Sequence, residues 1–102
     1  MPLTVTSIKR YRAANVVPGQ PDVWTLLEFE FDDADSERLA SALAAVLDEP
    51  LWYVDWQTKQ ECFVVFAEHV FRYRRGDADA RAAVEAFGRE RGLPASQLDW
   101  PE

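Results

Sequence analysis

From Cys62 to Phe66 the chain reads Cys-Phe-Val-Val-Phe, five apolar residues without a break. Valine and phenylalanine favour the extended backbone, and a strand sends alternate side chains to opposite faces. Cys62, Val64 and Phe66 then share one face, and Phe63 and Val65 the other. Neither face suits water, so any fold of this chain must cover the strand twice.

The flanking pattern supplies the other elements. Residues 3–11 are rich in Val, Thr and Ile and read as a strand. Residues 13–22 contain Pro18, Gly19 and Pro21 and read as a long loop. Residues 23–31 alternate, with Val23, Thr25, Leu27, Phe29 and Phe31 on one face and Trp24, Leu26, Glu28 and Glu30 on the other. The aspartates at 32, 33 and 35 mark a helix start, where a carboxylate accepts free backbone N–H groups. Leu39, Leu43, Val46 and Leu47 give that helix its apolar stripe, and Pro50 stops it.

Residues 51–58, 61–66 and 70–74 read as strands, the last two joined by a tight hairpin at Ala67-Glu68-His69. Gly76-Asp77-Ala78-Asp79 opens a second helix with Ala80, Ala83, Val84 and Phe87 inward and Gly92 as its C-terminal cap. Leu93, Leu98 and Trp100 predict that residues 93–102 dock on the body of the protein. The expected architecture is one α+β domain over residues 1–102, in the order β-β-α-β-β-β-α. It has an antiparallel sheet of about five strands and both helices on one face.

Composition narrows the function classes. The chain has 102 residues, one cysteine and a formal charge of −7. No apolar run approaches the roughly 20 residues that span a bilayer, and residues 1–9 lack the layout of a signal peptide. Arginine-rich, lysine-poor and alanine-rich usage points to a bacterial origin, and the chain reads as a soluble cytoplasmic protein. Its charge is uneven: +3 over residues 1–21, −9 over 22–61 and −1 over 62–102. An acidic total argues against nucleic acid as a partner and leaves a basic protein partner open.

No catalytic motif stands out. His69 is the only histidine, with Glu68 and Asp55 as its only candidate carboxylates, and it reads as an exposed turn residue. Cys62 reads as a packed thiol, since no positive charge neighbours it in sequence. The stretch from Asp33 to Glu37 starts like a calcium loop, but Arg38 and Ala44 stand where a glycine and a glutamate belong. No metal site and no cofactor are implied. Arg72 and Arg74 share a strand face, as do Arg10 and Arg12, and cross-strand pairing with Glu28 and Glu30 is the first expectation for them.

The aromatics carry the functional expectation. Trp24 and Leu26 face away from Phe29 and Phe31, while Trp52 and Trp56 lie opposite Tyr53 on their strand. Helices on one face leave a second face rich in apolar groups, and such patches mark contact surfaces. Three outcomes follow: a homodimer through the aromatic sheet face, a pocket for a small molecule, or cover by the 13–22 loop and the tail. The first reading is a protein acting by association, as a homodimer with a possible basic protein partner. The alternative is a small-molecule binding protein or enzyme. Ligand or interface candidates are Trp24, Leu26, Trp52, Tyr53, Trp56, Arg72 and Arg74, with Asp55 as the acid–base group.

Overall fold

The computed structural model of the protein describes residues 2–48 and 51–101. The strands are β1 (Thr4–Arg12), β2 (Val23–Glu30), β3 (Tyr53–Gln57), β4 (Glu61–Phe66) and β5 (His69–Arg74). The helices are α1 (Ser36–Val46) and α2 (Ala78–Glu90). Single 3-10 turns precede α1 at Asp33–Asp35 and follow α2 at Ala95–Gln97. Class and element order are those expected from the sequence.

The sheet is divided. β1 and β2 form an antiparallel hairpin, and β3, β4 and β5 form a separate antiparallel sheet with β4 at its centre. The helices also sit differently from the one-face arrangement. Phe63 and Val65 pack with Ala40 and Ala44 of α1, whereas Cys62, Val64 and Phe66 pack with Val84 of α2. One helix therefore lies on each face of the three-stranded sheet. The physical reason is the doubly apolar β4, whose five residues from Cys62 to Phe66 are all 2% exposed or less. The two helices meet the need for cover that the sequence reading assigned in part to a partner.

Small residues let α1 approach its face closely. Leu39, Ala40 and Ala44 are buried with Ser36, while Leu43 and Leu47 flank them and Val46 stands 73% exposed. The helix ends at Val46, and Pro50, read as its stop, lies outside the described residues. The Asp32 carboxylate accepts from the Ala34 amide at 3.1 Å, and Asp77 accepts from Ala80 at 3.0 Å. On α2, Val84 and Gly88 are buried, Ala80 and Phe87 pack at the margin, and Ala83 is exposed.

The end of α2 is fixed by Gly92, whose φ of +101° suits a residue without a β-carbon. Its amide donates to the Arg89 carbonyl, and the Leu93 amide donates to that of Gly88, the paired bonds of a Schellman stop. The chain then turns back beneath the sheet. Leu93, Leu98 and Trp100 are buried there, and the Trp100 indole donates to the Tyr73 hydroxyl at 2.7 Å. The β4–β5 turn is Ala67-Glu68, with Glu68 at a φ of +63°, and its amide donates to the Ala44 carbonyl at 2.7 Å. His69 is the first residue of β5 rather than part of that turn.

Candidate functional site: the cleft between the hairpin and the sheet

β2 approaches the free edge of β3 without joining it. Two aromatic contacts span the gap: Trp24 on Trp52 at 5.4 Å and 66°, and Phe31 on Trp56 at 5.4 Å and 83°. Beside the first of these contacts opens a cleft of about 560 Å³. Tyr11, Trp24 and Leu26 line its hairpin side, Trp52, Tyr53 and Asp55 its sheet side, and Gln97 and Asp99 the tail side.

Local bonds hold these walls. The Trp24 indole donates to the Pro21 carbonyl at 2.8 Å, which ties the ring to the 13–22 loop. Gln20 and Gln97 exchange amide bonds, each 3.0 Å, and Gln20 also donates to the Leu51 carbonyl at 3.2 Å. Gln97 further donates to the Asn15 carbonyl, so loop and tail close one end of the cleft. The Tyr53 hydroxyl donates to the Gln97 carbonyl. Burial, and then the nearby Asp55 and Asp99 carboxylates, push the Tyr53 phenol upward, so it stays protonated.

Asp55 is the half-buried acid of the site. Burial raises its carboxyl above the usual range, opposed by the hydrogen bond from Gln57, and Asp99 adds a smaller upward push that Arg81 offsets. Neither Asp55 nor Asp99 forms an ion pair among the described residues. His69 lies elsewhere, its ring against Phe87 at 4.7 Å. Among the described residues no group of His, Cys, Asp or Glu is placed to hold a metal ion. No helix there is long and apolar enough to cross a membrane.

No family model, curated protein or solved structure matches this chain.

Of the candidate residues, Trp24, Leu26, Trp52 and Tyr53 meet at the cleft. Trp56 does not. It lies flat on Phe63 at 5.2 Å beneath α1, with its indole donating to the buried Ser36 hydroxyl at 3.1 Å. Arg72 and Arg74 stand on β5, the far edge from β3, so neither edges the cleft. Arg72 donates to Glu61 from Nε at 2.7 Å and from Nη2 at 2.8 Å, and it also bonds Glu37. The expected arginine partners, Glu28 and Glu30, take no part in that network. Strand order is the cause: β4 and α1, not β2, neighbour β5. Tyr11, Gln97 and Asp99 were missed, because only long-range folding brings them to the site.

A second surface lies on the other side of the hairpin. Ile8 opposes Leu27 and Val5 opposes Phe29 across the β1–β2 ladder, on the face away from Trp24 and Leu26. Ile8 is 67% exposed, Val5 52% and Leu27 49%. None of them belongs to either core cluster.

Proposed function

We propose that the protein acts by association, as a homodimer formed through the Val5, Ile8, Leu27 and Phe29 face of its β1–β2 hairpin. The observation that carries this reading is an apolar hairpin face left open beside two closed cores. A two-stranded ribbon is marginal in water by itself and gains most from being covered. The interface differs from the aromatic sheet face expected from sequence, since Tyr53 and Trp56 turn toward the cores.

A two-fold axis lets the apolar hairpin face of one copy cover the same face of another. Of the hairpin's charged residues, Arg10 and Arg12 share this face, opposite Thr25 and Val23, while Lys9, Glu28 and Glu30 point to the Trp24 and Leu26 side. Two hairpins running antiparallel across a two-fold axis set the Arg10 and Arg12 end of each copy far from that of the other. A parallel arrangement sets the Arg10 and Arg12 pairs of the two copies side by side, so electrostatics favours the antiparallel pair.

Sedimentation equilibrium tests this directly. The wild type is expected to show a concentration-dependent dimer, and Ile8→Arg is expected to sediment as a folded monomer. A wild type that stays monomeric at every concentration overturns the reading. A basic protein partner is the second reading. It draws on Glu28, Glu30, Asp32 and Asp33, all exposed and without a basic partner among the described ion pairs.

A further inference from the structure

We propose that the cleft between β2 and β3 binds an organic ammonium ion, quaternary or multiply alkylated, with Trp24 and Trp52 against its alkyl groups and Asp55 opposite its charge. The proposal does not depend on the dimer, whose face lies on the other side of the hairpin.

The rings come first. Tyr11 meets Trp24 at 6.2 Å and 60°, and Trp24 meets Trp52 at 5.4 Å and 66°. Steep angles between successive rings form an aromatic corner rather than a flat stack. The face of an indole is its electronegative side, and a cation seated against it is attracted by the ring quadrupole. Indoles placed this way serve a cation whose surface is apolar, because a strongly hydrated ion loses more water than the rings replace.

The carboxylates come second. Asp55 and Asp99 line the same cleft, and neither has an ion-pair partner among the described residues. The guanidinium of Arg81, over the Trp100 ring at 4.6 Å and bonded to Glu85 at 3.2 Å, offsets only part of the cost of the Asp55 charge. The donors at Asp55 are neutral, the Gln57 amide at 3.3 Å and its own backbone N–H. The upward push on its carboxyl shows that burial is incompletely compensated, a condition that a bound cation relieves. An anionic ligand is repelled by both carboxylates and by a chain of charge −7. A neutral flat ligand leaves Asp55 uncompensated.

Such an ion has two sources, a free small molecule or an alkylated lysine side chain of a protein. Nitrogen-15 NMR of the four tryptophan indoles distinguishes them. The probes are choline, its neutral isostere 3,3-dimethylbutan-1-ol, and a short peptide with one trimethyl-lysine. We expect choline or the peptide to shift the Trp24 and Trp52 signals saturably, with Trp56 and Trp100 little moved. Choline binding at least as well as the peptide identifies a free ligand, and tighter peptide binding identifies a protein-borne one. Asp55→Asn is expected to weaken binding by about ten-fold or more while signal dispersion shows an intact fold. Trp52→Leu is expected to weaken it as well. No saturable shift with either cation, equal binding of the neutral isostere, or unchanged affinity in Asp55→Asn overturns the proposal.

Discussion

Gly88 of α2 lies so close to Leu98 that a β-carbon on the glycine would stand 2.7 Å from the leucine Cδ2. Inside a helix, Gly→Ala ordinarily stabilises by about 1 kcal/mol. Here the gain meets an overpacking penalty of about 1–3 kcal/mol, because Leu98 is 5% exposed in a filled core. Gly88→Ala is therefore expected to lower the urea midpoint. Loosening of the tail is expected to appear as a change in the near-ultraviolet signal of Trp100. A raised midpoint contradicts this packing.

Ser36 and Trp56 bind the opposite face. The serine is 4% exposed and its hydroxyl accepts the Trp56 indole N–H. Ser36→Ala leaves that donor without its acceptor, at a cost of about 1–3 kcal/mol. Equilibrium denaturation checks the loss, and a Trp56 emission maximum shifted in the folded state reports its local origin.

Asp55 and Glu61 carry opposite pH signatures. The Asp55 carboxyl is raised by folding, so the native state holds that proton longer than the unfolded chain. Its contribution to stability falls as pH rises from the ordinary carboxyl value through the raised one. Asp55→Asn is expected to melt higher than wild type at neutral pH, with the difference vanishing at acid pH. An equal difference at both ends would show that the gain is not ionic.

Glu61 is lowered, first by its hydrogen bond from Arg72. The stability it supplies is present above the ordinary carboxyl value and is lost as pH falls through the lowered one. Both partners are open to solvent, so salt weakens the pair. Arg72→Met is expected to lower the melting temperature slightly in low salt and less in high salt. A salt-independent loss would assign the effect to packing of Arg72 on Phe63, 5.2 Å away.

Much of the fold is legible in short-range chemistry. Alternation marks β2, the uninterrupted apolar run marks β4, and Asp32, Asp77 and Gly92 punctuate the helices. Which body covers an apolar face is a different question. Trp56 and Tyr53 are both large and ring-bearing, yet one lies beneath α1 and the other contacts the tail at Trp100. Ala40 and Ala44 weigh little in a hydrophobic stripe, although their small size is what lets α1 sit close. The cleft was legible only in half. Trp24, Trp52, Tyr53 and Asp55 stand out by type, whereas the bond from Gln97 to Asn15 joins residues 82 apart. Nothing in either residue's neighbourhood announces it.

Because the β1–β2 ribbon contributes no buried residue to either core cluster, its opening is energetically separable from unfolding of the β3–β5 body. Amide hydrogen exchange would then resolve two tiers in a dilute single chain, with ribbon amides exchanging through local opening and β4 amides only through global unfolding. Raising protein concentration would slow the fast tier alone if a second copy seals the ribbon. The ribbon is thus a region whose order depends on its company.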